Sequence, residues 1–471
     1  MSRKFQVKTV PSTWLEINGR RLDCGPYMSG AAEIRALLSK HTTEVLPKLT
    51  SGPEGGIYYG PRSSRTYVDD AQYGVPFLTT TFMMQADLSY LPLISKRDAM
   101  SKKLAGQKVR EGMTLITRSG TVGRTIYARP SMKEVWSNED IIKIVADPQK
   151  IKSGYLYAYL CTKYGVPFVV SGKYGSVITH LEPEHFSDML VPRLDEVVEL
   201  KVHNLVEESA RLLTKSQARL NEATTLYFDA AGLKDITPGE WHTWGSDIGF
   251  TAMAGIHSLR AVNFNPRFMR LSERIRQGRW KPLAEICIDG TLKSGPRFKR
   301  IDADREYAYQ LIGQKQIFWL RPEGRWIAKK SVGTEVLVSD GTILVAAQGT
   351  LGESELFCRA EFITGRALER AYSQHFLRVV ADEHMIERGA LFAFMRSETA
   401  FRMLRSASTG SKLQDFHYKV LPSLPIPYPD KDARARCNEL IMTAYEARDT
   451  AVELEDQARL LVERTIQEGG R

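Results

Sequence analysis

The sequence lacks the features that mark secreted, membrane-bound or zinc-dependent proteins. Its five cysteines stand singly, and none belongs to a CxxC pair. This spacing argues against a zinc site and a disulfide framework, and it fits a reducing cytoplasm. No apolar run reaches the roughly 18 residues of a membrane span. The N-terminus also lacks the apolar core of a secretory signal peptide. We therefore expect a cytoplasmic protein without a membrane partner.

Catalytic motifs are equally scarce. The turn Gly120–Gly123 lacks the Gly-Lys-Ser/Thr of a phosphate-binding P-loop. Asn265-Pro-Arg-Phe268 differs from the Asn-Pro-Pro-Phe of adenine methyltransferases, and no Gly-rich cofactor-binding turn precedes it. The nine histidines show no paired metal spacing, and Asp430-Lys431 lacks the acidic partner of a nuclease cluster. We therefore expect no catalytic residue, no metal site and no cofactor.

The composition is that of a folded protein with a basic excess. A chain of 471 residues is long enough for two to four domains with their own cores. The balance of 65 Lys and Arg against 55 Asp and Glu leaves a net charge of +10. Such an excess suits nucleic acid, because neutralising phosphates releases counterions. Many basic proteins bind no nucleic acid, so the charge allows this partner without establishing it.

The chain is internally duplicated. The matching segments, in chain order, are Gly60–Arg62 with Gly295–Arg297, Glu111–Gly123 with Asp340–Gly352, Gly154–Leu160 with Gly389–Met395, Gly175–Ser176 with Gly410–Ser411, and Leu190–Asp195 with Pro425–Asp430. Four of the pairs are 235 residues apart, and Gly120 and Gly349 in the remaining pair are 229 residues apart. Matches that recur in the same order indicate a duplication.

Each repeat has two parts. The first part contains short apolar runs bounded by Gly-rich turns, such as Met113–Thr117 and Thr342–Ala346, which predict strands. The second part, about 195–230 and about 430–466, is nearly free of Gly and Pro and follows an Asp. These stretches predict long helices with an Asp at each N-cap.

The two helical stretches share a seven-residue pattern. One seam holds Val202, Ser209, Ser216 and Ala223, flanked by Leu205, Leu212 and Leu226, with Arg219 interrupting. The other seam holds Cys437, Ala444, Ala451 and Ala458, flanked by Leu440, Ala447, Leu454 and Leu461. The pattern predicts a coiled coil whose small residues allow close approach. The intervening domain brings the chain back, so we expect antiparallel pairing. Packing of each helix on its own domain is the alternative.

These observations predict a mixed α/β fold with two tandem domains, each followed by a long helix. The predicted boundaries are 1–194 and 231–429 for the domains, and 195–230 and 430–471 for the helices. At about 1.5 Å per residue, each helix spans on the order of 50 Å and acts as a spacer. Adding one turn at 209–216 is then expected to lengthen the spacer.

This layout resembles the specificity subunits of type I restriction–modification systems over essentially the whole chain. The segments 111–123 and 340–352 resemble the family's "GD-x-L…G-x-x-G" element. Arg21-Leu-Asp23 with Tyr27 resembles the start of a recognition domain, whereas the second domain has Ala261-Val-Asn263 there. The region 231–260 has no clear partner in the first repeat.

The resemblance implies what the protein does and what it binds. It implies two target-recognition domains that read a bipartite sequence in double-stranded DNA without catalysis. It also implies docking of two adenine-N6 methyltransferase subunits and allows motor-nuclease restriction subunits as further partners. S-adenosylmethionine, ATP and magnesium would then be bound by those partners. Two alternatives remain open: a scaffold that binds proteins, and the specificity subunit of another methylation-based defence system.

Candidate DNA contacts lie in three kinds of repeated loop. The Gly-Pro-Arg loops contribute Arg62, Arg65, Arg297, Lys299 and Arg300, since a guanidinium can bind phosphate or read guanine. The strand-end turns contribute Arg118, Arg124, Gln348 and Thr350. The loops after the GYLYAYL-type helices contribute Lys173, Tyr174, Ser176, Ser411 and Lys412. For each group an ordinary surface loop is the alternative, and the turn glycines are explained by positive φ.

The second repeat also has a basic-aromatic character. Its lysines are Lys281, Lys293, Lys315, Lys329 and Lys330, and its tryptophans are Trp280, Trp319 and Trp326. Base stacking is conceivable, but we expect these tryptophans to belong to the core.

Overall fold

The computed structural model describes residues 7–17, 20, 24–171, 180–245, 258, 260–353 and 355–469. The predictions for Arg21–Asp23 and for Lys173, Tyr174 and Ser176 lie outside these residues. Within them, no helix combines the length and the hydropathy that a bilayer crossing requires.

The first unit comprises the described residues before Asp195. Its strands are β1 Thr43–Val45, β2 Ile57–Tyr58, β3 Tyr67–Val68, β4 Gly74–Leu78, β5 Leu93–Ser95, β6 Thr114–Thr117, β7 Thr125–Tyr127, β8 Trp136–Ser137, β9 Ile141–Ile144 and β10 Leu190–Pro192. Its helices are α1 Ser12–Ile17, α2 Gly25–Met28, α3 Ala31–Leu38, α4 Lys96–Ala99, α5 Ser153–Leu160 and α6 Gly165–Ser171. The main sheet has the order β2-β9-β6-β7, a second sheet has the order β3-β5-β4-β8, and β1 pairs with β10.

The long helix α7, Glu196–Ala230, leads into the second unit, which comprises the described residues of 231–429. The strands of this unit are β11 Trp280–Pro282, β12 Lys293–Ser294, β13 Ala308–Ile312, β14 Arg325–Ala328, β15 Thr342–Ala346, β16 Ala360–Ile363, β17 Ala371–Tyr372, β18 Phe376–Val379, β19 Ser408–Gly410, β20 Gln414–Phe416 and β21 Pro425–Pro427. Its helices are α8 Pro238–Thr243, α9 Pro266–Arg276, α10 Arg388–Met395 and α11 Glu398–Ser406, and α12 Lys431–Glu468 follows it.

The sheets of the two units repeat each other. The main sheet of the second unit, β12-β18-β15-β16, has the order and antiparallel pairing of β2-β9-β6-β7. The sheet β14-β13-β17 repeats β5-β4-β8, including one parallel pair in each. The pair β11-β21 repeats β1-β10. The predicted duplication and the mixed α/β class are confirmed.

The two long helices begin where the sequence predicts. The Asp195 carboxylate accepts a hydrogen bond from the Val197 N–H at 2.9 Å, and Asp430 accepts one from the Ala433 N–H at 2.9 Å. Each bond satisfies one of the N–H groups that a helix start leaves without a partner, which is worth about 1 kcal/mol. The predicted N-caps are therefore confirmed.

The helices pair antiparallel along the predicted seam. The Cys437 thiol contacts the Ala223 carbonyl at 3.4 Å, and Val202 shares a core cluster with Ala458 near the other end. All eight seam residues are buried, whereas flanking Leu205, Leu212, Leu226, Leu454 and Leu461 are half-buried. Arg219 reaches past the seam and donates to the Thr443 carbonyl at 3.1 Å. The predicted antiparallel coiled coil is confirmed.

Each unit is fused to one end of the helix pair. One core cluster joins the first unit to the N-terminal part of α7 and the C-terminal part of α12. Another joins the second unit to the C-terminal part of α7 and the N-terminal part of α12. The helices are thus part of both cores, which fixes each unit on the pair.

Candidate nucleic-acid interface

Both Gly-Pro-Arg loops leave the same end of their main sheets. The first Gly-Pro-Arg loop, residues 60–66, follows β2 at the end where β6 stops and β9 starts. The second Gly-Pro-Arg loop, residues 295–301, follows β12 where β15 stops and β18 starts. We call this end of each main sheet its loop edge. Equivalent strands therefore place the two loops at equivalent positions.

The two Gly-Pro-Arg loops also end in the same way. The Ser95 N–H donates to the Thr66 carbonyl at 2.9 Å, and the Ala328 N–H donates to the Ile301 carbonyl at 2.8 Å. In both units the donor is at the C-terminal end of an equivalent strand, β5 or β14. The loops are thus anchored at both ends by the same pair of sheets.

A hairpin brings the third kind of predicted loop to the second loop edge. The Gln414 N–H donates to the Gly349 carbonyl at 2.9 Å, which sets the β19–β20 hairpin against the turn that follows β15. Ser411 and Lys412 at the hairpin tip therefore lie on the same side as Thr350. In the first unit the Leu181 N–H donates to the Arg118 carbonyl at 3.0 Å, at the equivalent turn.

Seven of the predicted contact residues are exposed. They are Arg62, Arg297, Lys299, Arg300, Thr350, Ser411 and Lys412. The five basic side chains among them have no ion-pair partner in the described part of the chain. Their charges are therefore available to phosphate oxygens and base edges.

Three predicted arginines are instead neutralised by carboxylates. Arg65 pairs with Glu139 at 2.5 Å, and Arg118 pairs with Glu182 while its guanidinium lies 4.1 Å from the centre of the Tyr59 ring. Arg124 pairs with Glu323 of the second unit at 2.5 Å. Their contact with DNA stays a prediction, but each has a structural role without it.

The strand-end turns owe their shape to glycine and glutamine. Gly120 and Gly123 have φ values of 72° and 90°, so the turn-geometry interpretation is confirmed for them. The equivalent Gly349 and Gly352 do not have positive φ, so the interpretation is wrong for the second turn. In the second unit the Gln314 amide bonds both the Gln348 N–H, at 3.1 Å, and the Gln348 carbonyl, at 2.9 Å. The backbone at Gln348 is held, and its side chain is half-buried.

One pair of equivalent basic positions was not recognisable as equivalent from the sequence. Lys96-Arg97 follows β5, and Lys329-Lys330 follows β14, so each pair lies beside the end of a Gly-Pro-Arg loop. All four side chains are exposed. No shared sequence surrounds the two pairs, and only the strand registers align them. Their signal in the sequence was a lysine-rich composition alone.

The loop edge of the second unit carries enough positive charge to act on a histidine. Burial lowers the pKa of His375 from its ordinary value of 6.5, and the nearby Arg300 and Arg297 lower it further. The His375 carbonyl accepts a hydrogen bond from the Ala347 N–H at 2.9 Å, directly before Gln348. An anion bound at this edge would oppose the effect of the two arginines and raise the pKa of His375 again.

Other features noted in the sequence have structural explanations. Asn265 is the N-cap of α9 and accepts a hydrogen bond from the Arg267 N–H at 2.9 Å, which accounts for the Asn-Pro-Arg-Phe segment. The core prediction is confirmed for Trp319, which is 5% exposed, and is wrong for Trp280, which is 36% exposed because it lies on a short strand at the surface. Trp326 is half-buried. All five cysteines are free thiols. Among the residues described, no group of three or more His, Cys, Asp or Glu is arranged to hold a metal ion.

Comparison with known proteins finds similarity among solved structures. No protein-family model matches the chain, and no curated protein does. The S subunit of a type I restriction–modification system from M. genitalium matches with a TM-score of 0.37 and 10% identity, over 91% of this chain and 95% of its own. The HsdS subunit from Thermoanaerobacter tengcongensis matches with a TM-score of 0.27 and 12% identity, over 90% and 96%.

A third solved structure comes from work on the complex assembly and conformational transition of a type I system. It matches with a TM-score of 0.27 and 12% identity, over 91% of this chain and 97% of that chain. The first two of these neighbours are named as S or HsdS subunits, and the third is named only for a type I system.

Proposed function

We propose that this chain is a DNA-specificity subunit that reads a bipartite sequence and catalyses no reaction itself. One observation carries the proposal: the same loop edge, with the same exposed basic loop, occurs twice on units that share one helix pair. Two equivalent edges held at a fixed separation suit a long, regular polyanion with two half-sites. Duplex DNA is such a ligand.

The proposed recognition domains are residues 1–194 and 231–429, joined by the spacer helices 195–230 and 430–471. Arg62 and Arg297 lead the two Gly-Pro-Arg loops and are proposed to hydrogen-bond guanine edges or phosphates in the major groove. Lys299, Arg300, Thr350, Ser411 and Lys412 extend the contact in the second half-site, and Lys173, Tyr174 and Ser176 are proposed to do so in the first. Arg97 and Lys330 supply phosphate contacts without sequence preference.

The helix pair is proposed to dock two adenine-N6 methyltransferase subunits, with motor-nuclease subunits as further partners. Val197, Leu200 and Leu460 support this, because they are 74%, 43% and 44% exposed at one end of the antiparallel pair. Exposed apolar side chains close to one end of the pair favour a protein contact there. In this proposal the partners bind S-adenosylmethionine, ATP and magnesium, and the assembly works on DNA in the cytoplasm.

Salt-dependent binding of the purified chain to a random duplex library tests the DNA function. We expect selection of one bipartite motif, with log K falling against log salt by about 0.9 for each phosphate contacted. Arg211→Ala is a matched control, because Arg211 is 64% exposed on α7, outside the loop edges. A protein-binding scaffold predicts no sequence-selective duplex binding. Identifying the methyltransferase that co-purifies with the chain then distinguishes a type I system from another methylation-based defence system.

A further inference from the structure

The two units touch each other directly as well as through the helices. The first docking loop, residues 79–92 between β4 and β5, meets the second docking loop, residues 313–324 between β13 and β14. The Ala86 N–H donates to the Phe318 carbonyl at 2.9 Å, and the Leu320 N–H donates to the Met84 carbonyl at 2.9 Å. These bonds surround an antiparallel bridge between Gln85 and Trp319. Since the flanking strands are equivalent, each loop pairs with its own counterpart, as in a two-fold interface.

The first docking loop is tied to both the helix and the second unit. Asp87 pairs with Arg396 of the second unit at 2.6 Å and accepts a hydrogen bond from the Gln217 amide of α7 at 2.7 Å. Arg396 also donates to the Leu220 carbonyl of α7 at 2.8 Å. Its side chain is only 3% exposed. One buried network therefore joins the first unit, α7 and the second unit.

This buried pair remains charged. Burial acts to raise the pKa of Asp87, but Arg396 outweighs it and holds that pKa well below its ordinary value. A charge left in this position without its partner would be strongly unfavourable. The network thus opposes any movement that separates Asp87 from Arg396.

The second docking loop repeats this arrangement on the other helix. Arg321 pairs with Glu455 of α12 at 3.0 Å and with Asp456 at 2.9 Å. Two residues further along, Glu323 pairs with Arg124 of the first unit at 2.5 Å. Each docking loop therefore binds one long helix and the opposite unit.

We propose that this reciprocal dock, in addition to the helix length, sets the distance and rotation between the two DNA half-sites. The proposal rests on the proposed DNA function. Adding one base pair to the spacer shifts a half-site by about 3.4 Å and rotates it by roughly a tenth of a turn. The packed interface between the two docking loops does not accommodate such a shift without opening. The dock also restricts rotation of each unit relative to the end of the helix pair to which the unit is fused. It also opposes a turn inserted at 209–216, which would displace Gln217 by about 5.4 Å from its anchor in the first unit.

The test removes the central ion pair without leaving a buried charge. The unlocked variant Asp87→Asn/Arg396→Met replaces both partners. The matched control Glu387→Gln/Arg434→Met removes a pair at 3.0 Å that joins the second unit to α12 without crossing between units. A second unlocked variant, Ala86→Pro/Leu320→Pro, removes both N–H donors of the bridge. All are assayed as full-length chains on duplexes whose half-sites are constant and whose spacer varies by one base pair.

We expect the wild type and the control to lose about 10-fold or more in affinity for each base pair of spacer change. We expect either unlocked variant to bind the neighbouring spacers within about 3-fold of the best one, with unchanged half-site preference. If both unlocked variants still prefer only the wild-type spacer length, the proposal is wrong, and the helices alone set the spacing. Failure of the wild type to bind any bipartite duplex would instead reject the proposed function.

Discussion

At the scale of single residues, the acidic neighbours of the loop-edge arginines decide what those arginines can do. Arg62 and Arg297 are exposed, whereas Arg65 and Arg118 face Glu139 and Glu182 at close range. A guanidinium that is already paired gains little from a phosphate, because it must first leave its carboxylate. The exposed arginines are therefore the stronger candidates for DNA contact.

Replacing Arg297 tests this division. We expect Arg297→Ala to weaken DNA binding by about 1–3 kcal/mol and to relax the sequence preference of one half-site only. We expect Arg65→Ala to lower thermal stability, since it leaves Glu139 without its partner. Binding curves on half-site variants and melting curves check both expectations. Equal loss at both half-sites in Arg297→Ala would contradict base reading by this loop.

His375 offers a probe for a bound anion at the second loop edge. Its pKa is lowered by burial and by Arg300 and Arg297, so phosphates that neutralise those arginines are expected to raise it. DNA affinity is then expected to increase as the pH falls through the region of the ordinary histidine pKa. Imidazole resonances titrated in the free and DNA-bound chain measure the shift. An unchanged His375 pKa on binding would mean that no phosphate lies near this edge.

The candidate site was predictable only in part. Recurrence of Gly-Pro-Arg in both repeats identified Arg62 and Arg297, because the motif lies within a short segment. The partner of Arg118 lies 64 residues away, at Glu182, and that of Arg124 lies in the other repeat, at Glu323. No local pattern encodes such long-range pairs, so the sequence did not separate exposed from neutralised arginines.

At the scale of elements, the helix pair is supported by equivalent contacts from the two units. The Gly154 N–H of α5 donates to His203 Nδ1 of α7 at 3.2 Å, and the Gly389 N–H of α10 donates to Asn438 Oδ1 of α12 at 2.9 Å. Both glycines lie against the facing helix, where a Cβ would come within 3.0 Å of its backbone. The repeated glycine in GYLYAYL and GALFAFM is thus explained by close helix packing.

The histidine in this contact predicts a pH dependence of stability. Burial lowers the pKa of His203 from 6.5, while Glu207 opposes the change. The unfolded chain therefore takes up the proton more readily. The contribution of neutral His203 to the free energy of unfolding is complete above the unfolded-state pKa. It is lost as the pH falls from about 6.5 toward the folded-state pKa.

The variant His203→Asn copies the non-titrating acceptor Asn438. We expect it to remove this share of the pH dependence while keeping the hydrogen bond to Gly154. Free energies of unfolding, measured from about pH 8 to about pH 5, compare the two chains. An identical pH dependence in His203→Asn and the wild type would contradict the assignment.

The small residues of the seam predict sensitivity to added volume. We expect Ala451→Leu to destabilise the chain by about 1–3 kcal/mol, because Ala451 is fully buried between the helices. Leu460→Ala is the control, since Leu460 is 44% exposed and its removal is expected to cost less than about 0.5 kcal/mol. Denaturant unfolding measures both. Tolerance of Leu at 451 would contradict close packing of the seam.

The elements themselves were largely predictable from local pattern. The strand Thr342–Ala346 and both long helices match because continuous apolar runs and seven-residue spacing are local signals. The docking loops were not predicted, because their pairing joins residues that are more than two hundred positions apart without a shared motif. Contacts between units follow from the assembled fold and not from local propensity.

At the scale of the whole molecule, one frame holds two copies of the same loop edge. The antiparallel helices place the units at opposite ends, and the reciprocal dock ties them together in the middle. Under the proposed function, such a frame would present two half-sites of DNA at one separation and would leave the helix surface for partner subunits. Recognition and chemistry would then be divided between different chains.

If the proposed function is right, this chain selects the DNA sequence that a methyltransferase modifies. Modified-base sequencing of host DNA with and without the gene measures this selection. We expect one bipartite motif that carries N6-methyladenine in the wild type and loses it on deletion, with one half-site changed by an Arg297→Ala allele. An N6-methyladenine pattern that deletion leaves unchanged, in cells expressing the chain and its methyltransferase, would show that the chain does not select the methylated sequence.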